Sequence, residues 1–399
     1  MTEGVRKGTA RPVAPPAASA RPVQSARSGW PGWPGWSIKV EKRLEISPFW
    51  RAMAPVASIV MALVFGGVFL QLTGYDPFEV YSLMFKGAFG SRYGLIETVV
   101  KATPILLATI GVSVAFRMLL WNIGAEGQIY MGAFAASWVA LSFPDWPPLM
   151  LIPAMSIAGA VAGGLWALLP ALPRAIWGVN EIITTLMLNY VAIYWVDYLV
   201  YGPWKDPKGF NFPLTPQFSQ AAWLPCLGTT RIHLGLTFGL AAAVAVSIML
   251  SRTRWGYEIR VIGENPAAAR YAGMNIPRNI VLVMLLSGAI AGIAGMGEVA
   301  GITHRLQHGI SPGYGYTAII VAWLAKLNPA GIVIASFLFG GLLVAGYAVQ
   351  IFGIPADIAT MLQGSLLFFV LGGEALARYR VRIVRTGKER GAAASAAQG

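Results

Sequence analysis

Residues 252–278 read RTRWGYEIRVIGENPAAARYAGMNIPR, a polar stretch set between two apolar runs at 232–251 and 279–297. Arg252, Arg254, Arg260, Arg270 and Arg278 stand here against only Glu258 and Glu264. Cations accumulate in the cytosolic loops of membrane proteins, so this excess places the loop in the cytosol between two membrane crossings. Its middle, 265–271, carries alanines behind Asn265, with Pro266 in the first turn and Gly273 past the end. That pattern predicts a short helix lying across the membrane surface, able to offer small and polar side chains to another protein.

The rest of the chain agrees with a bilayer setting. Of 399 residues, 56% are hydrophobic and 12% charged, with a mean hydropathy of +0.60. One soluble core does not hide that much apolar surface. The net charge of +13 suggests nucleic acid until the charges are located. Nine of the 30 Lys and Arg lie in residues 1–51, five in the central loop and six beyond Gly373, so they read as cytosolic flanks of membrane spans and no nucleic-acid partner is expected. One cysteine, Cys226, excludes an intrachain disulfide. No secretory signal peptide is read in residues 1–50, which lack an apolar core.

Residues 1–50 form a basic tail, rich in Ala, Pro, Arg, Ser and Gly up to residue 38, which lacks the apolar content to order itself. The repeat Trp30-Pro-Gly-Trp33-Pro-Gly-Trp36 suits the lipid headgroup zone. The hydrophobic membrane body is expected over 51–375, followed by a second basic tail at 376–399. Within the body, apolar runs at 52–75, 102–116, 118–143, 146–173, 181–201, 232–251, 279–297, 313–325, 327–350 and 357–373 predict about ten transmembrane helices. The class is therefore an all-α polytopic membrane protein. Residues 202–231, with five prolines, read as a small cap on the outer face, and 298–312 as a second outer connection. With both termini cytoplasmic, Lys and Arg divide 23 inside to six outside; the inverted topology would reverse this.

Two polar patches interrupt the apolar runs. In the first, Trp121-Asn-Ile-Gly-Ala-Glu-Gly-Gln128, glycines permit a helix break, and Asn122, Glu126 and Gln128 are costly at membrane depth unless they face protein or a water-filled path. Two readings of Glu126 stand: pathway lining, or an interfacial carboxylate bonded to a neighbouring helix. In the second, Gly178-Val-Asn180-Glu181-Ile-Ile-Thr184-Thr185-Leu-Met-Leu-Asn189-Tyr190, Glu181, Thr184, Thr185 and Asn189 share one helical wall. Nucleotide-binding and metalloprotease motifs are missing, and His304 with His308 lacks a third ligand, so no metal site is expected.

These strings carry a resemblance. Gly263-Glu-Asn-Pro-Ala-Ala-Ala-Arg-Tyr-Ala-Gly273-Met274 resembles the coupling loop of permease subunits of bacterial ABC importers, in the nucleoside and simple-sugar branch related to ribose and branched-chain amino acid permeases. Asn-Ile-Gly-Ala-Glu-Gly-Gln at 122–128 and Gly-Val-Asn-Glu-Ile-Ile-Thr-Thr at 178–185 resemble signatures of the same branch. A third Gly-rich motif, beginning at Gly313, departs from it: Thr317 stands where a carboxylate is common.

The resemblance implies an inverted repeat of two four-helix halves, near 101–201 and 278–373. It also implies a translocation path for nucleosides or simple sugars, with Asn122, Glu126, Gln128, Asn180, Glu181, Thr184 and Asn189 as candidate lining. The ATPase would dock on the coupling loop at Gly256, Gly263, Glu264, Asn265, Pro266, Ala268 and Gly273. The partners implied are a second homologous permease, a cytosolic ATP-binding subunit and an external substrate-binding protein, in a bacterial plasma membrane. The chain itself would be no enzyme and hold no cofactor, ATP being used by the partner. A stand-alone secondary transporter or channel is the other reading, and it leaves the 252–278 loop without a purpose.

Overall fold

A computed structural model describes residues 36–42, 48–355 and 357–385. The expectations for the proline-rich part of the N-terminal tail, including Trp30 and Trp33, and for the final GAAASAAQG lie outside the described residues. The chain divides into two units. In the smaller, strand β1 (Trp36–Lys42) pairs antiparallel with β2 (Tyr379–Arg385), Ile38 opposite Ile383 and Val40 opposite Val381. These strands take residues that the sequence reading left in the two tails.

The larger unit is helical: α1 (Pro48–Leu72), α2 (Pro77–Phe89), α3 (Arg92–Arg117), α4 (Ala125–Ser142), α5 (Pro148–Trp177), α6 (Glu181–Tyr201), α7 (Gly235–Arg252), α8 (Arg254–Glu264), α9 (Pro266–Tyr271), α10 (Ile276–Glu298), α11 (Tyr314–Leu324), α12 (Pro329–Gln350) and α13 (Asp357–Arg378). A helix occupies each of the ten stretches expected to cross. Among the described residues, six helices are long and apolar enough to do so, or seven if the pair α1–α2, bent by 119°, counts as one span. α11, with 11 residues, is shorter than a bilayer requires. The chain is thus an all-helical polytopic membrane protein with six to seven candidate spans.

Three boundaries differ from expectation. Helix α2 was not foreseen, though Asp76 caps it by accepting from Phe78 and Glu79 N–H and Pro77 opens it. Helix α3 starts at Arg92, capped by Ser91, because Glu97 and Lys101 sit inside the helix rather than before it. The helix expected as the third crossing begins seven residues later than Met118: residues 118–124 are non-helical, with Leu119 at φ 56°, and α4 starts at Ala125.

The core is organised on α3 and α10. Helix α3 is apolar almost all round and buried from Ala102 to Phe116, packed against α7, α10, α11 and α12. Helix α10 lies between α4 and α5 on a stripe of glycines, in which Gly288, Gly292 and Gly295 meet Gly163, Gly159 and the Ile129 carbonyl. A Cβ on Gly292 would stand 2.1 Å from the Gly159 carbonyl oxygen. In lipid, where apolar side chains gain nothing by leaving the solvent, such close backbone approach is the main source of helix cohesion.

Residues 202–231, expected as an outer cap, form one structure with the connection at 298–312. Thr215, Phe218 and Leu224 N–H donate to the carbonyls of Leu306, His304 and Ala300 at 2.9 Å each, and His308 N–H donates to Pro213 O at 3.1 Å.

Candidate functional site

The non-helical segment 118–124 exists because its ends are held. Asn122 is fully buried; its Nδ2 donates to Gln128 Oε1 at 3.1 Å and to Ser287 Oγ on α10 at 2.9 Å, while its Oδ1 accepts from Gln128 Nε2 at 3.0 Å and from Gly124 N–H. From α6, buried Asn189 reaches across the same break. Its Oδ1 accepts from Gly127 N–H at 2.9 Å and its Nδ2 donates to Ile123 O at 2.9 Å and Tyr316 Oη at 3.2 Å.

Glu126, 2% exposed in the first turn of α4, joins this segment to α11. Its Oε2 accepts from Gly315 N–H at 2.7 Å, and the Ser311 hydroxyl, which itself caps α11 by accepting from Tyr314 N–H, donates to the same carboxylate. Two helices therefore begin beside one carboxylate, and unpaired N–H groups at helix starts favour an anion there. The approach needs glycine: a Cβ on Gly315 would lie 2.2 Å from Glu126 N. Of the two readings of Glu126, the carboxylate bonded to a neighbouring helix describes its contacts.

The rest of the second patch sits at the start of α6. Glu181 is buried and accepts from Trp121 N–H at 3.2 Å while pairing with Arg174 Nε at 3.1 Å. Asn180 is the exposed N-cap of α6, accepting from Ile182 N–H. Thr184 and Thr185 donate back to carbonyls of their own helix, at Glu181 O among others. So Asn122, Glu126, Gln128 and Asn189 are brought into one buried assembly, Glu181 adjoins it through Trp121, and Asn180 and Thr184 stand at its rim.

The loop of the central arginines is two helices rather than one. Helix α8 is amphipathic and tied to α10 by Asn279, whose Oδ1 accepts from Trp255 Nε1 at 2.8 Å and whose Nδ2 donates to Glu258 Oε2 at 3.0 Å. Asn265 then caps α9, accepting from Ala267 and Ala268 N–H at 3.1 Å each, with Pro266 at the first position and Gly273 at φ 76° beyond the end. Within α9 only Ala269 is buried, and Tyr271 is 98% exposed. Glu264, Asn265, Pro266 and Ala268 are likewise open. Gly256 and Gly263 are not: a Cβ on each would stand 2.2 Å from Met249 O and 2.1 Å from Arg117 O, so they seat α8 on α7 and on the end of α3.

Sequence reasoning passed over a second buried polar group. Lys101 of α3 donates to Tyr314 Oη at 3.0 Å and lies 3.9 Å from Glu298 at the end of α10. On α11, Thr317 donates to Gln363 Oε1 of α13 at 3.2 Å. In the sequence Lys101 and Glu298 mark span boundaries, since a charge usually ends an apolar run.

In the connection at 298–312, His304 stacks on Trp223 at 4.1 Å and His308 pairs with Asp197 at 2.7 Å, so the two turn to different partners. Among the described residues no three His, Cys, Asp or Glu gather as a metal site. Burial, with His304 nearby, pushes His233 down to about 4, leaving it neutral to accept Gly235 N–H at 3.1 Å.

The helical membrane body thus holds a broken, polar-braced segment inside it and carries an exposed, capped helix in the 252–278 loop. Residues 94–371 match the family described as branched-chain amino acid transport system / permease component, and the chain belongs to that family. It is similar to a glucose ABC transporter permease of Haloferax volcanii, 39% identical over 84% of this chain and 91% of that one. A guanosine ABC transporter permease of Bacillus subtilis is 34% identical over 81% and 94%, and a nucleoside ABC transporter permease of Lactococcus lactis 30% identical over 80% and 90%. The chain is an ABC transporter permease subunit, a transport component and no enzyme, and such a subunit works with an ATPase and a binding protein.

Proposed function

We propose that this permease forms the path by which a sugar or a nucleoside enters the cell, paired with a second homologous permease and powered through α9 by a cytosolic ATPase that alone uses ATP. The observation that carries the reading is the coupling helix, open on every side but that of Ala269 and anchored through α8 to α10. A stand-alone transporter has no use for such a surface. The chemistry of the relatives, glucose and nucleosides, supports a solute rich in hydroxyl groups.

In this reading Asn122, Glu126, Gln128, Glu181 and Asn189 brace the inner wall of the path, and Asn180 and Thr184 stand at its cytosolic rim. Ten membrane passes and an inverted repeat complete the architecture. Ten being even, both ends of the body lie on one side of the membrane in this reading. The gathering of Arg117, Arg260 and Lys326 about one cleft, and of Arg174 and Arg270 about another, supports that side being the cytosol of a cellular plasma membrane.

Two measurements test this. Cys226 is exposed in the cap, so a membrane-impermeant maleimide is expected to label it in intact spheroplasts; labelling that requires lysis would invert the topology. Tyr271→Ala and Ala268→Arg alter only the open face of α9, and each is expected to lower solute-stimulated ATP hydrolysis in proteoliposomes at least tenfold with normal membrane abundance. Hydrolysis at the parental rate in both would remove α9 as the docking surface. A large exposed aromatic is the kind of residue on which interface energy concentrates.

A further inference from the structure

The assembly around Asn122 has its polar atoms taken by protein groups. The one around Glu298 does not. Glu298 is 3% exposed; its Oε1 lies 3.4 Å from the Tyr314 hydroxyl and 3.9 Å from Lys101 Nζ, while its Oε2 is buried without a partner. Gln363 is 8% exposed; its Oε1 accepts from Thr317, while its Nε2 is buried without a partner. The two are joined through α11, on which Tyr314 and Thr317 are one turn apart on the same face. The chain of contacts runs through α3, α10, α11 and α13 and leaves one carboxylate oxygen and one amide nitrogen without a partner.

Buried polar atoms are almost always paired, and leaving one unmade is costly, so two in one linked cluster call for a ligand. The pair is complementary. A hydroxyl donates to a carboxylate and accepts from an amide, which neither a simple cation nor a simple anion does. Helix α10 also changes here: directly after Glu298 it widens into a π-turn, Val299–Thr303, a distortion that frequently accompanies functional sites. Access from the outer side is marked by charge. Glu97, one turn before Lys101 on α3, pairs at 2.7 Å with Arg231 of the cap, and Lys101 keeps 20% of its side chain exposed.

We propose that Glu298 and Gln363, flanked by Lys101, Tyr314 and Thr317, are a binding station for the hydroxyl groups of the transported solute in the outer part of the path. The proposal rests on the reading of the chain as a permease for sugars or nucleosides. Its specificity would follow from the geometry of hydroxyls rather than from a base or a charge.

The test is uptake by the complete transporter in proteoliposomes, using glucose, guanosine and their monodeoxy analogues. Parental uptake of either parent solute tests the permease reading; the ratio of variant to parent tests the station. In Glu298→Gln, Gln363→Leu and the milder Thr317→Val, uptake of the parent solute is expected to fall at least tenfold, fivefold and twofold. One monodeoxy analogue, lacking the hydroxyl bound here, should be taken up by parent and variant alike. ATP hydrolysis stimulated by the loaded binding protein should persist. Equal fractional losses for the parent solute and every analogue would make the cluster structural and overturn the proposal, as would parental uptake in all three. Should Glu298→Gln fail to reach the membrane, Thr317→Val, which removes one hydroxyl at nearly constant volume, decides by the same comparison.

Discussion

Gly292→Val is expected to leave little folded permease. A Cβ at this position would stand 2.1 Å from Gly159 O and 3.1 Å from Gly163 Cα, backbone atoms that no side-chain rotation moves aside. The reciprocal contacts, Gly163 against Gly288 O at 2.3 Å and Gly132 against Gly292 O at 2.2 Å, place α10 in simultaneous contact with α4 and α5. Relief in one direction therefore worsens the other. Overpacking a tight core costs about 1–3 kcal/mol, and more when backbones must part. Against a total stability of about 5–15 kcal/mol a cost in that range would leave most of the protein folded, so the expected loss comes from parting the backbones on two sides at once, which costs more. The check is thermal unfolding in detergent together with abundance in the membrane, with Gly364→Ala, where a Cβ meets nothing within 4 Å, as the matched control expected to behave as the parent. A parental melting curve for Gly292→Val would mean that α4, α5 and α10 do not pack in this way.

The second large effect is at Glu126. Leucine there takes the acceptor from Gly315 N–H and from the Ser311 hydroxyl, both at the start of α11 and both out of reach of water. Each donor left unpaired costs about 1–3 kcal/mol. The expected result for Glu126→Leu is a destabilisation of about 2–5 kcal/mol and a fall in uptake beyond tenfold. Glu126→Gln keeps one acceptor oxygen and the side-chain volume, so it should retain most of the stability and separate hydrogen bonding from charge. Parental melting and uptake in the leucine variant would show that the break before α4 is held by other means.

Most of the candidate residues could be read in advance, because their types are out of place. Asn122, Glu126, Gln128 and Asn189 are polar in apolar runs, and the cost of such groups in a membrane makes them conspicuous. Helix α9 is visible in the sequence through Asn265, Pro266 and Gly273, whose cap, first turn and left-handed exit follow from local stereochemistry. Helix α2 and the early start of α3 had local signals as well, Asp76-Pro77 and Ser91, but Lys86, Glu97 and Lys101 broke the apolar run and outweighed them.

What the sequence by itself determined is the environment and the class. Hydropathy sums over many residues, and charge placement is a property of loops, so a helical body in a bilayer with a basic 252–278 loop between two of its helices needed no coordinates. Partners were another matter. That Asn122 meets Ser287, 165 positions away, or that Glu126 receives Gly315, 189 positions away, depends on how α10 and α11 are laid against α4. Periodicity within a helix says which residues share a face; it does not say which face of another helix they meet. The same limit made Gly263 look like part of a docking surface, when it is the point at which α8 rests on the Arg117 carbonyl. It also left Glu298 and Gln363 as a span end and an unremarked amide, since a buried atom without a partner is a fact of three-dimensional packing alone.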